Sequence, residues 1–486
     1  MRYDSLRYTP RTFAGGESLG TRSFRSSVKR IFEIRSISLF QLYVLFIAAI
    51  FVSGTPFFII ITAAFKLNLS PANILLIIAI PGSIFESFNL VRTEMPGASF
   101  WITAKSVVAN TISVPRPIRP LFALAILLWG FTLFSLAKDN APLGMQAILT
   151  GLAGLTALWF TARSIRNIGQ AITVAIVFVG LTTVTSVLTI LATLDLFGIR
   201  DTPFITPVGV EIDSFVPGFE REIIFGFNSD TFGLNVLISV AVLLVVLITS
   251  PLRRKPSNLA VMALVIILFT SFVIQSRGLW IALPIFLALV FVLIVTHRKY
   301  ARFRSISVSI LVIAVIASFW FVAGIIGGPR SGPELPLFFS NHGPPQLFGK
   351  TIPREFVYNG ATRLDDYVNA WETLKSNPLI GETSEKLAGF NGHSSYVDLI
   401  TLAGIGPMVV IILVMAYVYR QITTRPRAKY PLYEIGISLV VALLIINLFY
   451  FGIFQKQFWI VITVVTLLPT IDGMPILRPF GQRSRL

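Results

Sequence analysis

Long apolar runs dominate this sequence and restrict what it can fold into. A helix needs about 20 apolar residues to cross roughly 30 Å of hydrocarbon. The candidate runs are 40–66, 71–90, 121–137, 142–161, 170–195, 230–250, 259–275, 279–296, 306–327, 397–419, 433–453 and 457–471. Only 13% of the 486 residues are charged, whereas a soluble chain carries roughly 25%. We therefore expect an all-α polytopic membrane protein with about twelve transmembrane helices, and we exclude soluble and disordered classes.

Lys and Arg residues predict the orientation of these spans. Of the 40 basic residues, 28 fall in alternate connections and in the two ends of the chain. These segments are 1–36, 91–120, 162–169, 251–258, 297–305, 420–432 and 472–486. Cytoplasmic loops collect Lys and Arg, so we place these segments and both termini on the cytoplasmic side of the membrane. The net charge of +17 then reflects membrane topology and anionic lipid, and we expect no nucleic-acid partner.

The chain is expected to have three parts. A basic tail, 1–36, precedes a transmembrane region, 37–471, and a second tail, 472–486, follows it. The basic head is too long for a signal peptide. The stretch 91–120 is too polar to span and is expected to carry an interfacial helix near Phe100–Ala109.

Two substantial loops, 196–229 and 328–396, are expected to face the opposite, outer side of the membrane. A long loop is usually functional, so we expect the chemistry on this face. No nucleotide-binding motif is present, and a reaction here would need a pre-activated substrate. Cys is absent and His occurs three times, which excludes thiol chemistry and leaves little scope for a metal site. We expect no metal and no cofactor.

Arg277 lies in the motif Ser276–Trp280, where two apolar runs meet. Together these runs would form a helix of almost 60 Å, so the chain must fold back, and Gly278 suits such a turn. An Arg that only anchors a hairpin is one interpretation. The other is an anion ligand, because the guanidinium group matches phosphate oxygens with two parallel hydrogen bonds.

Arg221 and Arg363 are two further candidate site residues on this face. Arg221 lies between two Glu residues near the end of the first outer loop, where a surface charge cluster is the alternative. Asn228 or Asp230 can cap the helix that follows. Arg363 lies in the first turn of an amphipathic helix predicted over residues 361–376, where a cation opposes the helix dipole.

This amphipathic helix is expected to lie on the outer membrane surface with its apolar face toward the lipid. Its apolar stripe comprises Leu364, Tyr367, Val368, Trp371 and Leu374, whereas Asp366, Asn369, Glu372 and Thr373 face elsewhere.

His393 precedes the tenth span and is the strongest single candidate. Ser395 and Asp398 have capping-box spacing, which predicts a helix N-terminus directly after the His. The helix dipole there disfavours imidazolium and attracts anions, so a neutral His393 could accept a proton beside an anion. A structural His in an interfacial loop is the alternative. His342 and His297 are expected to be structural and solvent-exposed, respectively.

The set of motifs resembles the O-antigen ligase and exopolysaccharide polymerase superfamily. One motif is His393-Ser394, followed by nine residues and Gly404, and a second is Ser276-Arg277-Gly278-Leu279-Trp280. The family has a run of Arg, Trp and Pro-Leu-hydrophobic-Gly before the His, and Arg363, Trp371 and Pro378–Gly381 resemble it. Glu382 stands where the family often has Gly. The family also has an Arg ahead of a span that begins with Asn, and Arg221 with Asn228 resembles this pair. The resemblance covers about 200–410.

The resemblance implies an inverting, metal-independent glycosyltransferase of the bacterial inner membrane, with its active site on the periplasmic face. The donor would be a glycan on undecaprenyl diphosphate, and the acceptor would be a glycan or the lipid A core. Arg277, Arg221 and Arg363 would bind diphosphate, and His393 would be catalytic. Further expected partners are membrane lipids and a polysaccharide assembly complex. The motifs do not separate a ligase from a polymerase.

Two other classes of function stay open. A lipid-linked glycan flippase or polysaccharide transporter would need polar groups near the middle of the bilayer, and the predicted spans hold almost no ionisable ones. A structural scaffold would make the outer Arg and His residues dispensable.

Overall fold

The computed structural model describes residues 38–52, 70–138, 142–194, 196, 229–249, 255–274, 276–296, 346–347, 350–351, 368, 370–379, 381, 394–423, 431–448, 453 and 455–471. Its helices are α1 Leu39–Val52, α2 Pro71–Glu94, α3 Phe100–Ile112, α4 Arg119–Lys138, α5 Pro142–Ser164, α6 Ile168–Thr193, α7 Ser229–Thr249, α8 Lys255–Val273, α9 Arg277–Thr296, α10 Ser395–Ala403, α11 Gly406–Thr423, α12 Pro431–Ile446 and α13 Lys456–Leu467. Short 3₁₀ turns occupy Arg116–Ile118 and Leu468–Thr470. The described chain is mostly helical, as expected.

Within the described residues, α2 and α6 are long and apolar enough to cross a membrane. The bent pair Phe100–Ile112 and Arg116–Phe131, with an angle of 59°, would make a third span if it counts as one. Shorter apolar helices lie in most of the other predicted runs, whereas run 306–327 lies outside the described residues. The structure therefore supports the presence of membrane-spanning helices, and the full set of twelve spans stays a prediction.

Helix starts follow local capping chemistry. Ser70 Oγ accepts a 3.2 Å hydrogen bond from the Asn73 N–H, and Pro71 occupies the first helical position of α2. Asn167 Oδ1 accepts a 3.0 Å hydrogen bond from the Gln170 N–H at the start of α6. These caps satisfy donors that the first turn of a helix leaves without partners.

Apolar side chains pack the helices of the bundle against one another, and a glycine allows one close contact. α5 packs against α13, and α9 packs against α7 and α12. At Gly154 of α5, an added Cβ would lie 3.0 Å from Cδ1 of the buried Trp459. Gly154 therefore lets the indole of α13 pack directly on the backbone of α5.

The predicted interfacial segment forms a helix, α3, that extends to Ile112. Phe100 and Trp101 are 78% and 79% exposed, as expected for side chains at a lipid surface. The Arg163 guanidinium of α5 anchors this helix by donating to the carbonyl of Asn110 and to the hydroxyls of Ser83 and Ser87 on α2.

Two expected helix boundaries are wrong. The predicted tenth span, 397–419, is two helices, because Gly404 adopts φ +67° and interrupts the hydrogen-bond ladder between α10 and α11. The break in the 259–296 region lies before Arg277, so Gly278 is inside the first turn of α9 and not in the turn between the helices. α8 and α9 each pack against α7.

A short β-hairpin departs from the all-α expectation. β1, Gln346–Leu347, pairs antiparallel with β2, Lys350–Thr351, with Leu347 opposite Lys350. The hairpin lies in the predicted outer loop 328–396. It involves two residues per strand and leaves the helical class of the described chain unchanged.

A polar stripe lies between α6 and α7. Ser239 donates a 2.9 Å hydrogen bond to Thr182 Oγ1, which sets the register of these two helices. One to two turns further, Ser186, Thr189 and Asn235 are buried, and their side chains lack hydrogen-bond partners among the described residues. Because these side chains are neutral, the scarcity of ionisable residues in the predicted spans does not reveal this stripe.

Candidate functional site

A buried hydrogen-bond network joins α10, α12 and the start of α13. We call it the Asn447 junction, and it comprises Ser394, Ser395, Asn447, Ile453 and Trp459. The backbone carbonyl of Asn447 accepts hydrogen bonds from the Ser395 N–H at 3.0 Å and from the Ser394 hydroxyl at 3.3 Å. Its side-chain Oδ1 accepts from the Ser395 hydroxyl at 2.8 Å and from the Ile453 N–H at 2.6 Å.

The junction also fixes the segment that enters α13. The Trp459 indole N–H donates to the Ile453 carbonyl at 2.9 Å. The Asn447 side-chain amide donates back to the Leu443 carbonyl on α12. Ser394, Ser395 and Asn447 are all buried, so these bonds form away from water, where a lost partner is costly. The junction therefore holds the N-terminus of α10 in a single position.

The N-terminal cap of α10 is Ser394 and not Ser395, contrary to the predicted capping box. Ser394 Oγ accepts a hydrogen bond from the Val397 N–H at 3.5 Å. The Ser395 hydroxyl is engaged by Asn447 and Ile453, and cannot serve as the cap. Asp398 still lies in the first turn, where its charge favours the helix dipole.

The segment before His393 is tied to the segment after it. The Ile405 N–H donates a 2.9 Å hydrogen bond to the Pro378 carbonyl. An added Cβ at Gly404 would lie 2.4 Å from the same Pro378 oxygen. Gly381 has φ +74° and donates its N–H to the Asn377 carbonyl at 3.1 Å. Pro378 and Gly404, two residues of the predicted motifs, therefore meet in the fold.

Arg277 begins α9, as a helix N-terminus on the predicted outer face would require. Ser276 precedes it and is buried, and Ser276 Oγ accepts a 3.3 Å hydrogen bond from the Leu279 N–H. Gly233 of α7 packs against this point, where an added Cβ would lie 3.0 Å from Ser276 Oγ. The backbone start of α9 is thus held by α7. α9 also packs along α12, which leads into Asn447.

The other predicted site residues lie outside the described residues. These are Arg221, Arg363 and His393, and the same holds for the side chain of Arg277. Of the predicted caps for α7, Asn228 also lies outside, whereas Asp230 is within the helix and is not its cap. The grouping of the Arg and His side chains into one site stays a prediction.

The structure describes part of the predicted amphipathic helix and shows which of its residues are buried. Residues 370–376 are helical, and Ala370 and Thr373 are buried. Trp371 is 57% exposed. Thr373, which the sequence places off the apolar stripe, packs on the protein. Trp371 is directed away from the protein core, where a membrane surface could contact it.

Lys456 introduces a cation near the Asn447 junction. It begins α13, three residues after Ile453, and it is partly buried. In the part of the chain that the structure describes, its ammonium group makes no hydrogen bond and no ion pair. A cation at the N-terminal end of a helix, where backbone N–H groups also attract negative charge, is suited to an anion.

Sequence reasoning missed Asn447 and Lys456. Asn447 lies within a run that was assigned as an apolar span, 433–453, and Lys456 lies directly before the last one. A polar residue near the end of an apolar run was the available signal. The serine partners of Asn447 are about 50 positions away in sequence, and no local pattern could identify the pairing.

Comparisons with protein-family models, with curated proteins and with solved structures found no match to this chain.

Proposed function

We propose that this chain is a membrane glycosyltransferase of the O-antigen ligase and polymerase type. It moves a glycan from undecaprenyl diphosphate to an acceptor hydroxyl on the outer face of the membrane. His393 acts at the acceptor, and Arg277, Arg221 and Arg363 bind the diphosphate. The product belongs to surface polysaccharide synthesis, either lipopolysaccharide or exopolysaccharide.

The observation that carries this proposal is the double anchoring of the chain around His393. The Pro378–Ile405 hydrogen bond closes the segment at its base, and the Asn447 junction holds it directly after His393. A catalytic group needs a supporting shell that keeps its geometry within narrow limits. A loop that only connects two spans needs no such anchoring.

The proposed reaction transfers the glycan to the acceptor oxygen and the acceptor proton to His393. An acceptor O–H attacks the anomeric carbon of the donor, and the bond from that carbon to the phosphate oxygen breaks. The proton passes to the His393 imidazole, and the diphosphate leaves as an anion. Guanidinium groups directed at the leaving oxygens stabilise the charge that develops on them, and such electrostatic stabilisation often contributes more to catalysis than any other effect.

Two experiments test the proposal. Purified protein in nanodiscs should transfer a glycan from its undecaprenyl diphosphate carrier to an acceptor in excess EDTA. Complete loss of activity that added metal restores would point instead to a carboxylate site. In cells, deletion of the gene should shorten the surface polymer if the chain is a polymerase, or leave the polymer unattached if it is a ligase.

The polar stripe between α6 and α7 favours one second candidate, a lipid-linked glycan flippase. Thr182, Ser186, Asn235 and Ser239 supply neutral hydrogen-bonding groups within apolar helices. A flippase would move labelled lipid-linked glycan across vesicles without any acceptor. Asn235→Leu would abolish that movement, whereas a transferase would keep its glycan transfer in the same variant.

A further inference from the structure

An apolar groove of about 520 Å³ lies between α11 and α12, beside the Asn447 junction. Its walls include Met408, Ile411 and Met415 of α11 and Val440 and Leu444 of α12. Its volume is typical of sites for small ligands. The lining is almost wholly hydrocarbon, so the groove suits a long apolar chain and not a sugar or an ion.

The groove is elongated along the helix axis. Its lining on α11 extends from Met408 to Tyr419, a rise of about 16 Å at 1.5 Å per residue. Ile412, which also lines the groove, is 62% exposed, so a membrane lipid could enter from the side. Such a shape can hold an extended chain that lies along the bundle.

One end of the groove meets the Asn447 junction. Tyr396, which lines the groove, donates its hydroxyl hydrogen to the Leu444 carbonyl at 2.9 Å. Tyr396 directly follows Ser395, and Leu444 lies three residues before Asn447 at the end of α12. An occupant of the groove therefore has its end beside the polar junction.

Charge at this end favours an anionic head group. Lys456 follows Ile453 of the junction by three residues, and its ammonium group has no partner in the described part of the chain. Asp398 is the described acidic residue of α10 to α13 nearest to the junction in sequence, three residues after Ser395. It lies in the first turn of α10, where the helix dipole compensates its charge. Lys456 is connected to the groove end through the junction, because Ile453 and Ser395 share the Asn447 oxygen and Tyr396 follows Ser395. An apolar slot with a cation near its end matches a lipid with a phosphate head.

We propose that the groove between α11 and α12 binds the polyprenyl chain of a lipid diphosphate, with the diphosphate beside Lys456 at the start of α13. This inference rests on the proposed function and adds the location of the carrier chain. A membrane phospholipid has a related phosphate-and-hydrocarbon chemistry and is the competing occupant. The polyprenyl chain is favoured because Tyr396, at the end of the groove, lies three residues from His393, where the donor must react.

The test compares binding of two carriers that share a diphosphate. Undecaprenyl diphosphate and geranyl diphosphate are titrated onto the full chain in nanodiscs. Ala416→Trp fills the groove from α11, and Val441→Phe fills it less severely from α12. Each should weaken undecaprenyl diphosphate binding by about tenfold, which equals the loss of roughly two buried methylene groups. Binding of geranyl diphosphate should stay unchanged.

Leu413→Trp is the matched control, because Leu413 is an exposed residue of α11 outside the groove lining. It should leave both affinities unchanged. Equal loss for both carriers, or no loss for either, overturns the groove assignment alone. Loss of co-purified phospholipid with undecaprenyl diphosphate binding intact also overturns it, in favour of a phospholipid site. If the unaltered protein binds neither carrier, the proposed function falls together with this inference.

Discussion

The Ser395 hydroxyl donates a 2.8 Å hydrogen bond to Asn447 Oδ1 across 52 residues of sequence. The same oxygen also accepts the Ile453 N–H at 2.6 Å. One amide oxygen thus connects the start of α10 to the segment that enters α13. Because all these groups are buried, the arrangement leaves α10 little freedom to shift relative to α12.

Asn447→Leu tests this junction. Leucine has a similar branched shape but no polar atoms. The Ser395 hydroxyl therefore loses its acceptor, and the Ile453 N–H keeps only the Ser395 oxygen at 3.3 Å. A buried group that loses its partner costs roughly 1–3 kcal/mol. The melting temperature in detergent should fall, and so should transfer activity below that temperature. Asn258→Leu is the control, since Asn258 is an exposed residue of α8. An unchanged melting temperature in Asn447→Leu would show that the junction contributes nothing.

Gly404→Ala tests the base of the anchored segment. Alanine at φ +67° is strained, and its Cβ would lie 2.4 Å from the Pro378 carbonyl oxygen. The Ile405–Pro378 hydrogen bond should break, and protein abundance in the membrane should drop strongly. Gly130→Ala in α4 is the control, because nothing lies within 4 Å of its added Cβ. Equal abundance of the two variants would contradict a close packing role for Gly404.

Hydrophobic pattern predicted where helices occur, because an apolar run of membrane length permits few other structures. The predicted run 71–90 begins at Pro71, the first residue of α2, and Ser70 and Pro71 are a local start signal. The hydrophobic pattern failed at Gly404, where a contact with Pro378 decides the break. A glycine in an apolar run carries no information about a partner 26 residues upstream.

The candidate site was predictable only in its local parts. The residues after His393 indicated a helix N-terminus, and α10 begins there, although with Ser394 as cap. Ser394 caps the helix in place of Ser395 because Asn447, which is distant in sequence, engages the Ser395 hydroxyl. The face of residues 370–376 was likewise decided by packing, because burial of Thr373 depends on neighbours that periodicity does not reveal.

The predicted cytoplasmic side offers a pair of arginines that should respond differently. Arg163 donates to the carbonyl of Asn110 and to two buried serine hydroxyls, whereas Arg166 forms an exposed ion pair with Glu86 at 2.7 Å. Arg163→Met should destabilise the protein by roughly 1.5–3 kcal/mol. Arg166→Met should cost about 0–1 kcal/mol.

Limited proteolysis between α2 and α4 measures this difference, since release of α3 exposes its backbone. Arg163→Met should be cleaved faster near residues 95–115, and Arg166→Met should resemble the unaltered protein. Equal cleavage rates for the two variants would mean that Arg163 does not anchor α3.

The two proposed chemical roles should separate kinetically. Arg277→Lys keeps the charge but loses the planar guanidinium group, so donor affinity should fall about ten- to a hundredfold. His393→Ala should leave donor affinity nearly intact and lower the single-turnover rate by about 10²–10⁴. Both variants should insert normally, which a membrane blot checks. If His393→Ala loses donor affinity and keeps its rate at saturation, His393 belongs to the diphosphate site.

Lys456 should contribute to binding through its charge. Lys456→Met keeps a similar shape and removes the ammonium group, so it should weaken undecaprenyl diphosphate and geranyl diphosphate by the same factor, about tenfold or more. Lys456→Arg should retain most of the affinity, because it retains the charge. The equal loss for both carriers distinguishes this effect from that of the groove variants, which depends on chain length.

Lys375 provides the control for this lysine. It is exposed, forms a 2.8 Å ion pair with Glu372, and lies 5.7 Å from the centroid of the Trp371 ring. Lys375→Met should therefore leave the binding of both carriers unchanged. If Lys456→Met also binds both carriers normally while the protein stays folded, the cation is not part of the diphosphate site. Weak binding in Lys456→Arg as well would indicate that the shape of the side chain matters and its charge does not.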